Sequence, residues 1–244
     1  VEGKPKKGVT SIIGIKDKSR ALLPWSQEIA AGHLLRLLGS GAELTQKDVV
    51  EAAFASEVLK EKAADLGKAV HDWAEQYIKH KLKQGDMPEM PHDQNVVKGV
   101  TSFLEWEKAH KVKYLWAEKI VYSQKHDYIG RADFGAIVDG LKCLCDLKSG
   151  NGLYNEVLLQ TAAYAMADTE ESKFKYDGRC AIRVAKETEQ EYLDRLNLKN
   201  AIKEILGKKP VDVKPYQVFE AKFLDNVRMN MKRDFNAFLA AWEL

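Results

Sequence analysis

The first half of the chain carries apolar residues at helical spacing. This pattern runs over 25–38 and stops at the sequence GSG. Thr45 and Asp48, three residues apart, resemble a capping box that opens a second helix, and from there to Gln84 the chain is nearly free of helix breakers. Because this stretch is well above the usual helix length, we expect a break or kink within 54–66. Helices are therefore predicted over 25–38, 45–84 and 94–110.

The middle of the chain changes to the pattern of strands. β-Branched and aromatic residues become frequent and alternate with polar ones, and Asp139-Gly140 is a strong signal for a two-residue hairpin turn. Strands are predicted over 114–123, 127–138, 141–148, 179–186 and 212–219, the last at a sheet edge because of Pro215. Helices are predicted over 155–167, 188–207 and 221–242. The last helix carries an apolar stripe that indicates core packing, formed by Phe235, Phe238, Leu239 and Trp242.

The order of these elements is helix, three strands, helix and strand, with helical segments before and after. This order predicts an α/β fold, a mixed sheet with helices on its faces. The length of 244 residues, with 45% hydrophobic and 30% charged residues, suits one large domain. Within it we expect a helical N-terminal part at 1–65, a core at 66–186 and a helical C-terminal extension with an edge strand at 187–244.

Composition argues against several classes of protein. No apolar run reaches the length of about eighteen residues that a membrane span needs, and the opening residues VEGKPKKG lack the apolar centre of a signal peptide. Three cysteines form neither a zinc ribbon nor a disulfide framework, which favours a reducing, cytoplasmic setting. The sequence has no GxxxxGKS/T phosphate loop, so no use of ATP is predicted, and no GxSxG nucleophile elbow.

The net charge is +2, from 38 basic and 36 acidic residues, which argues weakly against a large nucleic-acid footprint. It does not exclude a local one. Basic runs at 4–7, 16–20 and 79–83 are candidate patches, although solvated lysines are the commoner explanation of such runs.

Two carboxylates and a lysine on neighbouring predicted strands are the main candidates for chemistry. Asp146 and Lys148 point to the same side of one strand, because side chains alternate. By itself this pair indicates an ordinary ion pair on a solvated hairpin, which contributes little to stability. Asp133 on the preceding strand changes the balance, because two neighbouring carboxylates repel each other unless a cation lies between them. Such oxygen ligands suit Mg²⁺ or Mn²⁺, beside which Lys148 would position a water and offset charge on a phosphate.

The predicted helices on either side of these strands supply further polar residues. His71 and Glu75 share a helix face, with Gly67 one turn earlier, where a ligand or another backbone can approach closely. A hydrogen-bonded helix histidine and a solvated glutamate are the ordinary alternatives. The helix after the strand of Asp146 and Lys148 carries a polar stripe. Such a stripe is ordinarily an exposed face, but this helix begins directly after the candidate site, where its N-terminus would favour a phosphate. The stripe consists of Glu156, Gln160 and Tyr164.

Four short motifs lie in and around these elements: GKAVH at 67–71, GRAD at 130–133, DLKSG at 146–150 and QTAAY at 160–164. Together they resemble the motifs of the PD-(D/E)XK nuclease superfamily, in its RecB-like branch. The sequence GVTSIIGIKDKSRALLPWSQEIA, from Gly8, also resembles the opening of phage members of that branch. The branch includes phage exonucleases, CRISPR-associated adaptation nucleases and a mitochondrial genome-maintenance exonuclease. The resemblance spans 8–168 and implies a restriction-endonuclease-like αβββαβ core, a central mixed sheet flanked by helices, with extra N- and C-terminal helices.

The resemblance implies a metal-dependent DNA nuclease, an exonuclease acting on DNA ends or single strands in recombination, repair or phage DNA processing. The implied cofactor is Mg²⁺ or Mn²⁺, held by His71, Asp133, Asp146 and the backbone carbonyl of Leu147. Lys148 would be the catalytic lysine, with Glu75 and Glu118 as auxiliary acids. Gln160, Tyr164 and Arg131 would contact DNA or support the site. Several relatives carry four cysteines that hold an iron–sulfur cluster, whereas this chain has three, so no cluster is predicted.

Two other interpretations stay open at this point. One is a catalytically inactive nucleic-acid-binding or assembly module that keeps the nuclease fold, which the near-neutral charge suits slightly. The other is a solvated hairpin without a site. The presence of His71, Asp133, Asp146 and Lys148 together favours the nuclease. The expected partners are DNA with free ends and recombination or replication proteins, in a bacterial or phage-infected cell, without a membrane. The polarity of digestion, the strand preference and the oligomeric state are not readable from the sequence.

Overall fold

A computed structural model describes residues 6–14, 19–41, 43–225 and 230–243. Within these ranges the helices are α1 Val9–Ile13, α2 Ser19–Gly39, α3 Gln46–Lys81, α4 Gln94–Ala109, α5 Glu156–Ser172, α6 Glu189–Ile205 and α7 Asn230–Trp242. The strands are β1 Lys7–Gly8, β2 Val112–Ser123, β3 Tyr128–Val138, β4 Leu141–Lys148, β5 Gly178–Val184 and β6 Phe219–Asp225. No helix in the described part of the chain combines the length and apolar character that a membrane span requires.

The chain forms two compact units. The first unit comprises Val1–Lys16, Gly67–Lys186 and Val218–Leu244, and it holds the sheet. The second unit comprises Asp17–Leu66 and Glu187–Gln217, and it holds α2, the first part of α3, and α6. Most residues of the candidate basic patches at 4–7 and 16–20 lie outside the described part of the chain.

The first unit has an α/β fold with a mixed six-stranded sheet flanked by helices. The strand order is β1-β3-β4-β5-β6, and β2 also pairs with β3. Strands β2, β3 and β4 are antiparallel neighbours, β4 and β5 are parallel, and β6 runs antiparallel to β5. The ladder between β3 and β4 ends at Phe134 and Cys145. The two strands therefore separate directly beside Asp133 and Asp146, the two carboxylates singled out in the sequence.

The turn between β3 and β4 lies at Asp139-Gly140, as predicted. Both residues adopt positive φ, 50° for Asp139 and 89° for Gly140, which a two-residue hairpin turn of this sequence favours. The Asp139 carboxylate accepts a hydrogen bond from the Lys111 amide at 2.9 Å. This turn determines the register of the hairpin, which pairs Val138 with Leu141.

Apolar side chains from α1, α5 and α7 pack on the sheet. Phe235 and Phe238 are buried, and the Phe238 ring lies edge-on to Tyr128, with the centroids 4.9 Å apart. Leu239 and Trp242 pack against the same cluster, so the predicted apolar stripe of the last helix is confirmed as core. Helix α4 adds two fully buried aromatic residues that pack against Phe134; they are Phe103 and Trp106.

The break predicted within 54–66 is wrong, because α3 is one continuous helix of 36 residues. The segment has one glycine, Gly67, and no proline, and most of its other residues are good helix formers such as alanine, glutamate and lysine. The capping box at its start is confirmed: the Thr45 amide donates to Asp48 Oδ2 at 2.8 Å, and the Asp48 amide donates to Thr45 Oγ1 at 3.3 Å. Length alone did not require a break.

Two predictions near the C-terminus are also wrong. The predicted strand at 212–219 has no strand structure before Phe219, and the beginning of the helix predicted at 221–242 is strand β6. Pairing with β5 decides this segment, from Val184 opposite Phe219 to Gly178 opposite Asp225. Its helix-forming residues favour a helix locally, but a free sheet edge beside them overrides that preference. Helix α7 is the part of the helix prediction that the structure retains.

A buried ion pair joins β5 to α7. Arg179 Nη2 lies 2.8 Å from Asp234 Oδ2, and both side chains are almost fully buried. We expect Asp234→Ala to lower the free energy of unfolding by about 3–5 kcal/mol, because it removes the carboxylate that compensates the buried guanidinium. Urea unfolding followed by tryptophan fluorescence measures the change. The matched control is Asn236→Ala on the exposed side of α7, expected within about 0.5 kcal/mol of the wild type; equal losses in both variants would contradict the prediction.

Candidate functional site

A cleft of about 340 Å³ opens in the first unit. Its polar lining comes from three elements, α3, β2 and β3, and β4 contributes Leu147. The residues that line it are Lys68, His71, Asp72, Ala74, Glu75, Ile78, Glu118, Arg131, Asp133, Phe134 and Leu147. Six of the residues singled out in the sequence therefore line one cavity: His71, Glu75, Glu118, Arg131, Asp133 and Leu147. The other four lie outside its lining: Asp146, Lys148, Gln160 and Tyr164.

Asp133 is held where β3 and β4 separate. Its Oδ2 accepts a hydrogen bond from the Leu147 amide at 2.7 Å and lies 3.7 Å from His71 Nδ1, an ion-pair separation that is longer than a hydrogen bond. Gly67 lies one turn before His71 on α3. A Cβ at Gly67 would lie 2.6 Å from Ser149 Oγ, so the group that approaches closely is a side chain, where the sequence predicted a ligand or another backbone.

Asp146 is the buried acid of the site. It is 1% exposed, and its Oδ2 lies 2.7 Å from Lys148 Nζ. Apart from this ion pair, the buried oxygen receives no hydrogen bond from the residues that the structure describes. Burial raises the pKa of Asp146 to about 6, with Lys148 lowering it and Asp133 raising it further. A carboxylate in this environment gains strongly from any additional positive charge.

Asp133 and His71 shift each other's pKa in opposite directions. Burial raises the pKa of Asp133, but His71, Lys148 and the Leu147 amide outweigh burial and hold this pKa below its ordinary value. Burial lowers the pKa of His71, but the neighbouring Asp133 carboxylate outweighs it, and the net pKa is raised. The imidazole therefore holds its proton more tightly than a free histidine. A metal ion would have to compete with that proton.

A second acidic pair lies on the same cleft. The Arg131 guanidinium forms an ion pair with Glu118 and lies 3.9 Å from Glu75, which also pairs with Lys79. Burial raises the pKa of Glu118, with Glu75 adding to the rise and Arg131 opposing it. For Glu75, burial is outweighed by the hydrogen bond with Glu118 and by Lys79, and the net pKa is lowered. Arg131 is 64% exposed at this position, which leaves its guanidinium accessible to a phosphate.

Gln160 and Tyr164 lie on α5, and their side chains contact each other. Gln160 Nε2 donates to the Tyr164 hydroxyl at 2.9 Å. Tyr164 is 3% exposed, and burial raises the pKa of its hydroxyl, so the phenol stays neutral. The ring lies against Gly130 of β3, where a Cβ would overlap it. This position suits support of the site, one of the two roles implied for these residues.

Gly130→Ala is expected to displace the Tyr164 ring and to lower the free energy of unfolding by about 1–3 kcal/mol, because ring atoms and β3 backbone have little room to move apart. Urea unfolding measures the loss. Gly85→Ala is the matched control, since a Cβ at Gly85 meets nothing within 4 Å. Equal stability of Gly130→Ala and wild type would show that the contact with Tyr164 is not tight.

Sequence reasoning missed two polar residues of the cleft, Lys68 and Asp72. Lys68 lies three residues before His71 on α3, and Asp72 lies three residues before Glu75, so each is neighbour by helical spacing to a predicted site residue. The helical periodicity around His71 was the signal that could have found them. The ion pair between Lys79 and Glu75 could have been predicted in the same way, because the two residues are four apart on a helix.

The side chains at this place fit a hard divalent cation in their chemistry. They are the Asp133 carboxylate and the His71 imidazole, which line the cleft with Leu147, and the buried Asp146 carboxylate. The buried Asp146 Oδ2 is the atom that such a cation would satisfy. In the described ranges no three histidine, cysteine, aspartate or glutamate side chains are grouped so that they could hold a metal ion as they stand. The positive charge beside Asp146 is instead that of Lys148.

Comparison of the sequence with models of protein families and with curated proteins finds no match.

Proposed function

We propose that this protein is a metal-dependent deoxyribonuclease of the RecB-like branch of the PD-(D/E)XK superfamily, with a restriction-endonuclease-like core. The single observation that carries the proposal is Asp146, buried against Lys148 where β3 and β4 separate and beside Asp133. The order α4-β2-β3-β4-α5-β5 agrees with the αβββαβ order that the resemblance implies. The substrate is DNA with free ends or single strands, and the activity is that of an exonuclease.

The proposed reaction is hydrolysis of a phosphodiester bond, in which water attacks phosphorus and the bond to the leaving oxygen breaks. A Mg²⁺ or Mn²⁺ ion held by Asp133, Asp146, His71 and the Leu147 carbonyl would supply Lewis-acid activation of the phosphate and lower the pKa of the attacking water. No iron–sulfur cluster and no ATP enter the proposal.

The residues of the chain divide the remaining work between them. Lys148 holds its partly exposed ammonium 2.7 Å from Asp146, where it would orient the water and offset the charge that develops on the phosphate oxygens. Asp146 holds that ammonium in place. In the lining of the cleft, Arg131 offers a planar guanidinium to the DNA backbone, and Glu75 and Glu118 hold it there.

A catalytically inactive nucleic-acid-binding or assembly module is the second candidate. The observation that favours it is the ion pair between Lys148 and Asp146, which neutralises both groups without a metal ion. The two candidates differ in metal binding and in cleavage, so one set of experiments separates them.

Cleavage of end-labelled DNA tests the proposal. The substrates are linear and circular, single-stranded and double-stranded DNA, each with Mg²⁺, with Mn²⁺ and with a chelator. We expect release of short products from linear DNA with either cation, none with the chelator, and no dependence on ATP. Cutting of closed circles would rule out a strict exonuclease, and absence of cleavage from every substrate would support the inactive module.

A further inference from the structure

One face of α3 in the second unit carries large apolar side chains that face solvent. Val50, Phe54 and Val58 are 57%, 57% and 62% exposed, and their spacing of four residues places them in one stripe, here called the Phe54 stripe. The covered face of the same segment carries small residues: Ala52 is 2% exposed and Ser56 is 9% exposed. A solvated helix has the reverse arrangement, with its large apolar residues covered. A contiguous exposed apolar stripe marks an interaction surface.

The residues of this face are arranged symmetrically about Phe54. Val50 and Val58 lie four residues before and after it. Lys47 lies seven residues before it and Glu61 seven residues after it, and both fall on the face of the stripe because seven residues make nearly two helical turns. When the segment is reversed about Phe54, each apolar residue therefore takes the place of an apolar residue, and the base takes the place of the acid.

We propose that the Phe54 stripe is an interface with a second copy of this chain, in which two α3 helices pair antiparallel about a twofold axis at Phe54. Phe54 then meets its own equivalent, Val50 meets the partner subunit's Val58, and Lys47 meets the partner subunit's Glu61. Such an interface is isologous, so one patch is complementary to itself. This inference is independent of the proposed nuclease activity.

Charge selects the antiparallel arrangement. A parallel pair in register would place Lys47 against lysine and Glu61 against glutamate, whereas the antiparallel pair makes two opposite-charge contacts. Within the chain Lys47 lies 3.5 Å from Glu51, with 82% and 49% of the two side chains exposed, so the ammonium stays accessible to another acid. Glu51 and Glu57 lie on opposite sides of the stripe. In the antiparallel pair Glu51 lies at the level of the partner subunit's Glu57 but on the opposite side of the interface, so the two acids stay apart.

Sedimentation of the full chain tests the interface. We expect the wild type to dimerise, and Lys47→Glu or Glu61→Lys to weaken dimerisation at least about tenfold, because symmetry turns each single change into two like-charge contacts. The double variant Lys47→Glu with Glu61→Lys is expected to restore the dimer. Lys60→Glu makes the same change of charge away from the stripe and is expected to leave dimerisation unchanged. A monomeric wild type, or a double variant no better than the single ones, overturns the proposal.

Cysteine cross-linking tests the register. Phe54→Cys is expected to give a disulfide-linked dimer under mild oxidation, because the twofold axis brings residue 54 to its own equivalent. Val50→Cys is expected to give none, since its two copies lie about 12 Å apart along the helix axis, and a disulfide spans at most about 7 Å between Cα atoms. The native cysteines Cys143, Cys145 and Cys180 are buried and do not compete. Cross-linking through Val50→Cys in place of Phe54→Cys would overturn the antiparallel arrangement.

Discussion

Lys148→Ala is expected to lower the rate of DNA cleavage by about a hundredfold to a thousandfold while the protein stays folded. The ammonium lies 2.7 Å from Asp146, and in the proposed mechanism it stabilises charge on the phosphate. Loss of one preorganised group of this kind has an effect of that size in other enzymes. The fold tolerates the change because the Lys148 side chain is 31% exposed and because Asp146, with a pKa of about 6, can take up a proton when its counterion is removed.

The measurement is a single-turnover rate on end-labelled DNA with Mn²⁺, together with the circular dichroism spectrum. Lys142→Ala is the matched control, because Lys142 lies on the same strand β4 but at its exposed end, beside the hairpin turn. Its cleavage rate is expected to equal that of the wild type. Wild-type cleavage by Lys148→Ala would remove the lysine from the mechanism, and loss of the folded spectrum would show that its role is structural.

Asp133→Asn and Asp146→Asn are each expected to weaken Mn²⁺ binding at least about a hundredfold, because each removes a charged oxygen donor from the cation. Asparagine keeps the shape of aspartate, and at residue 133 its carbonyl can still accept the hydrogen bond from the Leu147 amide. The fold around the hairpin is therefore expected to persist. Isothermal titration calorimetry with Mn²⁺ measures the affinity without reference to any nuclease activity.

Asp139→Asn is the matched control for the metal titration. Asp139 is an aspartate of the same hairpin, but it lies in the turn and bonds to the Lys111 amide and to His110. We expect its Mn²⁺ affinity to equal that of the wild type. Equal binding by all the variants would place the cation elsewhere, and absence of binding to the wild type would favour the inactive module.

The central elements of the fold were predictable because their signals are local. Strands β2, β3 and β4 lie within two residues of their predicted limits, since alternation and the Asp139-Gly140 turn act over a few residues. Strand β6 was not predictable, because Phe219–Asp225 has helix-forming residues and becomes a strand only through the edge of β5. The continuity of α3 was missed for a different reason. Its local sequence favours a helix throughout, and the break was predicted only because 36 residues exceed the usual length of a helix.

The candidate site was also predictable only in part. Spacing and motif pointed to His71, Asp133, Asp146 and Lys148 as a group, and the structure brings them together beside the point where β3 and β4 separate. The sequence did not indicate that Arg131 is held by Glu118, because these residues lie on different strands and meet only through the register of β2 with β3. Nor could spacing show that Tyr164 is buried against Gly130, a contact between a helix and a strand.

The sequence by itself therefore determined which chemical groups are present, the hairpin that carries two of the acids, and the helix face that carries the histidine. These depend on side-chain type and on interactions between residues close in the chain. Only the tertiary structure decided that burial dominates the pKa of Asp146, whereas His71, Lys148 and the Leu147 amide outweigh burial at Asp133, so that the two pKa values shift in opposite directions. The physical reason is that desolvation and charge pairing depend on every element packed around a group, and distant segments supply most of them.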